Sequence, residues 1–434
     1  MLGGGNFTTQ NKVLPGAYIN FVSIAKASAA LSERGICAIP MELNWGTDGE
    51  VFTVESSDFE KDSLKIFGYS YDAEELLNIR EVFKHAKTLH IYRLNSGEKA
   101  ENEYAKALYS GIRGNAIKLV IQENADNEEM FDVITYLDSQ KVDTQTVAGA
   151  AELVANGYVE FKPEAMLIAT SGVSLVGGTN LETLTGTQYQ TALDKLEGYS
   201  FHTLGCVAQE EQIKALFAAY TKRMRDEAGV KFQTVIYNYA ADYEGVINVK
   251  NKVKEKGKPE NAIVYWVAGA EAGCAINKSN TNLTYDGEYS IDVDYKQSEL
   301  TSAILAGEFV FHKVGSEARV LADINSFTST SSDKNSDFSL NQVIRILDQI
   351  GNDIAVLFNS KYLGKIQNNE AGRVSFWNDM VTYNKELETL HAIENFASAD
   401  VTVEEGNDKR SVTVTNQIQP VCAMEKLYMV VMAE

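Results

Sequence analysis

Proline is scarce in this 434-residue chain, at five residues, which argues against long disordered tracts. Cysteine is scarcer still. Cys37, Cys206, Cys274 and Cys422 lie far apart with no CxxC pair, so neither a disulfide framework nor a cysteine zinc site is expected, and four reduced thiols suit a cytosolic place of synthesis. Positive charge is in deficit: 39 Lys and Arg face 60 Asp and Glu, a formal net charge of -21. Such a surface repels nucleic acid and anionic lipid, which disfavours a free-standing DNA-binding role, and it keeps a self-associating protein soluble before assembly. No apolar run reaches membrane-spanning length, and the opening Met1-Leu-Gly-Gly-Gly-Asn6 is small and polar. Neither a signal peptide nor membrane insertion is expected. Export would then require lysis or passage inside a particle.

Reactive motifs are missing too. The chain has no GxxxxGK(S/T) loop, no GxSxG elbow and no HExxH helix, and Gly177-Gly178 lacks the spacing of GxGxxG. His85, His90, His202, His312 and His391 share no ligand spacing, so each reads as a surface or satisfied core residue. Nothing local marks a strained nucleophile, and Ser171-Gly172 reads as a turn. Trp45, Trp266 and Trp377 are most simply core or interface residues. Aromatics, 10% of the chain, have no basic context that would make a platform for single-stranded nucleic acid. No catalytic, cofactor or metal site is expected.

What is present is a folded, multidomain pattern. Apolar residues make up 44% and charged residues 23%, and the length suggests two to four domains. Residues 1–22 read as an N-terminal arm, with three glycines and then an extended stretch, Val13 to Val22, in which Pro15 limits pairing to a sheet edge. Residues 23–112 and 181–327 read as one discontinuous α/β domain. Its signals include a capping-box pattern at Asp72 and Glu75, a strand from Thr88 to Leu94, helices at Tyr189–Leu196 and Glu211–Ala228, and a strand at Phe232–Tyr237. The continuous apolar run Ala262–Ala268 reads as a strand buried on both faces. Residues 113–180 carry short strands at Ile117–Ile121, Phe131–Leu137 and Tyr158–Phe161, and read as an inserted β-sandwich or barrel.

Ser326–Lys334 is a polar linker to a C-terminal α+β domain, 328–416. That domain has an apolar helical stripe at Val343, Ile344, Leu347, Ile350, Ile354 and Leu357, a second helix over Arg373–Leu390, and strands at Asp400–Val403 and Ser411–Thr415. Residues 417–434 read as a C-terminal arm ending in an apolar strand, Ala423–Met432. Both ends are therefore extended and apolar with little local chain to pair with. They can pair within their own subunit or add to a foreign sheet, which satisfies the backbone and fixes register.

Several segments, in order, resemble the tail sheath proteins of contractile phages and phage-derived bacteriocins, especially those of Gram-positive hosts. They are Gly3 to Ser23, the turn Tyr109-Ser-Gly-Ile-Arg-Gly-Asn115, Leu175-Val-Gly-Gly-Thr-Asn180 with the helix after it, Ala303–Phe311 and Val320–Phe327 as final α/β strands, Asn341–Asp353, Tyr362–Asn368 and Ile418–Tyr428. The resemblance implies a subtilisin-like α/β domain without a catalytic triad, an outward β insertion, and a C-terminal domain facing a tail tube. It implies stacked hexameric rings of this chain around that tube, contraction, and baseplate and tail-terminator partners, with no cofactor and no direct nucleic-acid contact.

Under that reading Val13, Leu14, Tyr18, Ile19 and Phe21, with Met424, Leu427, Tyr428 and Val430, would be the inter-subunit arms. Gly3–Gly5, Pro15-Gly16 and Gln417–Pro420 would be their joints. Arg373, Asn378, Asp379 and Lys385 are the tube-facing candidates, unless the helix starting near Asn341 faces the tube instead. The competing readings are a hydrolase on a subtilisin-like scaffold, or another structural subunit such as a tail tube or surface-layer protein.

Overall fold

Strands buried on both faces organise the larger part of the chain. In the computed structural model, which describes residues 31–433, a seven-stranded sheet runs in the order Glu308–Phe309, Val246–Val249, Gln233–Tyr237, Thr203–Cys206, Ile36–Met41, Thr88–Arg93, Val51–Glu55. All neighbours are parallel except the last pair. Side chains of one strand alternate between two cores. Cys37, Ile39 and Met41 enter one, with Val235, Ile247 and the helix Ile263–Gly273, whereas Ala38 enters the other, with Leu204, Ile236 and residues of the helices Gly186–Leu196 and Glu211–Arg223. Period-two alternation between two apolar layers is what helices on both faces of a parallel sheet require.

Residues 95–180 leave this sheet and return to it. They carry a four-stranded antiparallel sheet in the order Gln140–Val147, Phe131–Leu137, Ile117–Glu123, Thr170–Ser174, and a two-stranded pair, Ala105–Ala107 with Val159–Phe161. Ile117, Leu119, Ile121, Val133, Leu137 and Leu175 form their core, joined by Trp45 from the α/β part.

The described chain divides into two units, residues 33–349 with 421–433, and residues 350–420 with 31–32. The second holds the helix Glu370–Thr389, capped by Asn369, whose side chain accepts from the Gly372 amide at 2.9 Å. Beside it stand the hairpin Val401–Glu405 with Val412–Asn416 and a short pairing of Ile393–Glu394 with Gln419–Pro420. Leu357, Tyr362, Phe376, Met380, Val381 and Val401 are its core.

Six expectations are corrected. Ser171-Gly172 lies within the strand Thr170–Ser174 and is not a turn between elements. Of Val320–Phe327 only Val320 belongs to a strand, Glu317–Val320. Residues 262–268 form no strand, because Ile263–Gly273 is a helix. Its apolar run covers every face, so periodicity cannot separate helix from strand there. Gly269 and Gly273 let it lie against backbone, since a Cβ at these positions would fall 2.3 Å from the Val82 carbonyl and 2.2 Å from that of His85. Residues 303–305 end the helix Gln297–Leu305 and are not strand. The Asp72/Glu75 capping box does not form, because Ala73 precedes the short helix Glu74–Leu76 without a side-chain cap. Residues 423–432 contain no strand: among the described residues the last strand is Gln419–Pro420, and none of residues 421–433 is paired in a strand. The expected N-terminal arm, 1–22, lies outside the described residues.

Candidate functional site

Carboxylates, not nucleophiles, gather at the carboxyl ends of the central strands. A cleft of about 470 Å³ there is lined by Glu42, Glu182, Tyr189 and Glu210. Burial, and then the charge of Glu210, pushes Glu42 above the usual carboxylate range. Among the described residues no group of three or more His, Cys, Asp or Glu could hold a metal ion. His202 is held neutral, pushed down to about 3 by burial and by Arg34, and its Nδ1 accepts from the Ile36 amide at 3.2 Å. His90 is pushed down by burial, and its Nδ1 meets the Thr53 hydroxyl at 2.9 Å. Cys37, Cys206 and Cys274 are buried, and burial pushes each thiol up to about 12. Only Cys422 is exposed. The chemistry of His90, His202 and the three buried thiols is that of a satisfied interior.

The C-terminal tail is of a different character. Met424 is fully exposed at 102%, and Leu427, Tyr428, Val430 and Met432 are 84–90% exposed. Met429 and Val431 bring the number of outward apolar side chains to seven within nine residues. Single exposed apolar residues are ordinary on a protein surface, but a contiguous run of this size marks an interaction surface. The tail is not free from its start. The side chain of Gln342, at the beginning of the helix Asn341–Leu357, donates to the Val421 carbonyl at 3.1 Å and accepts from the Ala423 amide at 3.0 Å. The Thr281 hydroxyl donates to Glu425 at 2.6 Å.

The four tube-facing candidates all lie on the helix Glu370–Thr389 but differ in surroundings. Asn378 and Lys385 are exposed on one face, with Thr382 and Thr389. Arg373 is partly buried and donates to Asn368 Oδ1 at 3.1 Å. Asp379 accepts from Lys361 Nζ at 2.6 Å and from the Tyr362 hydroxyl at 2.5 Å. The sequence pattern does not reveal Gln342 and Thr281. Neither has a local signal, because both act on residues about 80 and 140 positions away.

The chain matches four phage tail sheath domain families in succession. These are the Tail sheath protein Gp18 domain III N-terminal region over residues 34–94, the beta-sandwich domain over 95–180, the central domain over 182–326 and the C-terminal domain over 333–434. It belongs to the phage tail sheath protein family, whose members are structural proteins of phage or phage-like particles. It is 36% identical to the phage-like element PBSX protein XkdK of Bacillus subtilis, over 98% of this chain and 99% of that protein. The crystal structure of the sheath tail protein from Desulfitobacterium hafniense is 39% identical, with a TM-score of 0.80 over 93% of this chain and 96% of that one. The helical sheath of the anti-feeding prophage in its contracted state, at 11% identity and TM-score 0.57 over 98% of this chain and all of the other, shares the fold.

Proposed function

We propose that this chain is the subunit of a contractile tail sheath, polymerising into stacked hexameric rings around a tail tube, and that its two ends dock on adjacent copies. The observation that carries this reading is the exposed apolar tail: Met424, Leu427, Tyr428 and Val430 have no cover among the described residues of their own chain. Burying such side chains on a second copy is worth about 1.5–3 kcal/mol each before the costs of association. Residues 1–22 would supply the second connection.

Folded domains would move as rigid bodies while the arms stay paired, so rings remain joined as the interfaces between domains change. The extended state would be kinetically trapped, with the energy stored at assembly rather than supplied by a nucleotide. The α/β domain, subtilisin-like in topology, would act as a scaffold without catalysis. Residues 350–420 would face the tube through the polar side of the helix Glu370–Thr389, where Asn378 and Lys385 are the accessible candidates. A baseplate and a tail terminator would bound the sleeve, which would form in the host cytoplasm.

The test is truncation. Chains lacking residues 1–22 or 426–434 are expected to keep the circular dichroism spectrum of the full chain and to give no striated sleeves in negative-stain micrographs. Normal sleeves from both truncations would remove the arm model.

A further inference from the structure

The tail has a root as well as a docking segment, and the role assigned to the root rests on the proposed reading of the docking segment as an arm. Gln342 is buried, and its amide serves Val421 and Ala423 as a neighbouring strand would, donating to one backbone group and accepting from the other. Two residues on, Glu425 is held by Thr281. The root thus spans residues 421–425, and the exposed apolar run continues beyond it.

The helix turn that carries Gln342 is seated on buried charge. Arg345 Nη2 donates both to Glu271 Oε2 at 2.6 Å and to Asp323 Oδ2 at 3.1 Å, and its Nη1 donates to the Lys278 carbonyl at 2.8 Å. Asn341 Nδ2 donates to Asp323 Oδ1 at 2.9 Å. From the facing loop, Asn280 donates to Glu271 Oε1 at 2.8 Å through its side chain and to Asp323 Oδ2 at 2.9 Å through its amide. The hydroxyl of Thr281 that holds Glu425 also accepts from the Asp323 amide at 2.9 Å. One loop and one helix turn therefore grip both the carboxylate pair and the tail.

Two buried carboxylates converging on one guanidinium nitrogen favour a single shared proton. Burial and the charge of Asp323 push Glu271 up to about 8. Burial acts on Asp323 in the same direction, but Arg345 and the hydrogen bonds outweigh it and hold Asp323 below its usual range. Of the other charged groups nearby, Arg34 lies within electrostatic reach of Glu271. Arg34 donates to the backbone carbonyls of Cys274 and Glu271, Asp348 is paired with Arg225, and the Cys274 thiol is kept neutral by burial.

We propose that Gln342 and the Glu271–Asp323–Arg345 cluster form a proton-dependent latch that fixes the direction in which the C-terminal tail leaves the subunit. With one proton on the carboxylate pair, the helix start and the loop 278–281 are held together and the root is rigid. Loss of that proton sets two like charges against the one guanidinium that both carboxylates contact and loosens the helix start and the loop. The folded-state value of Glu271 lies above its ordinary one, so this contribution is full below about 4.5 and is lost progressively as pH rises to about 8.

Cys422 provides the probe, since it lies in the root and the other three thiols are buried. A maleimide fluorophore on Cys422 of the full-length, unassembled chain reads root mobility as anisotropy between pH 6 and pH 9. The wild-type signal is expected to fall with a midpoint near 8. Glu271→Gln, which carries no titratable carboxyl, stays high across the range, and Gln342→Ala is low already at pH 6. A flat wild-type curve, a Glu271→Gln curve that falls in parallel, or a Gln342→Ala signal equal to wild type would overturn the latch. Should Glu271→Gln not fold, hydrogen exchange of the wild-type Ala423 amide, corrected for intrinsic rates, replaces it: faster exchange above pH 8 supports the latch and unchanged protection contradicts it. These readouts need no sleeve, so they stand apart from the truncation micrographs that test the arm.

Discussion

Arg93 shows how one residue can join two parts of this chain. Its side chain is fully buried at the end of the strand Thr88–Arg93. It donates to the Leu43 carbonyl at 2.9 Å, to Asp48 at 3.0 Å, to the Ser110 carbonyl at 2.8 Å and to Asn180 at 3.2 Å. Ser110 and Asn180 flank the inserted strands, so a single guanidinium pins both ends of the insertion to the α/β sheet. Arg93→Met is expected to lower stability by about 3–5 kcal/mol in urea denaturation, because Asp48 and three acceptors lose a buried partner. His202 makes a second residue-scale prediction. Its folded-state value is depressed to about 3, below the ordinary value of 6.5. The unfolded chain then binds the extra proton between those limits, and stability falls as pH drops from about 6.5 towards 3. His202→Asn should flatten the melting-temperature profile over that interval, and an unchanged slope would assign the acid sensitivity elsewhere.

At the scale of elements, the tail is where burial and assembly come apart. Leu427→Asp with Val430→Asp changes two exposed side chains, so the melting midpoint of the isolated chain should shift by no more than about 0.5 kcal/mol equivalent. The same pair of changes should abolish sleeve formation at any concentration tested, as read by sedimentation. Elements with strong periodic patterns were legible in the sequence: the helix Glu211–Arg223, the helix Asn341–Leu357 and the antiparallel strands from Ile117 to Leu137 stand where hydrophobic spacing puts them. The helix Ile263–Gly273 was not legible as a helix. An element apolar on every side carries no period, and the two glycines that let it touch backbone read only as small residues. The central strand Ile36–Met41 is masked by Pro40, which sits where pairing with Thr203–Cys206 has already ended. Of the tail, the apolar residues were visible but the grip of Gln342 on Val421 and Ala423 was not, because no pattern links positions so far apart.

For the whole molecule, the acidic balance and the apolar ends act together. A net charge of -21 keeps separate copies apart in solution, while under the proposed reading the exposed run from Met424 to Met432 would be the place where they join. An assembly joined through its ends can change the packing of its folded parts without losing its connections. The most direct measurement is a cryo-EM reconstruction of sleeves assembled from this chain, at a resolution that traces residues 424–432. The account predicts continuous density running from the root at Val421 onto a neighbouring copy, with Leu427, Tyr428 and Val430 buried there. Density that turns back onto the subunit it came from would contradict it.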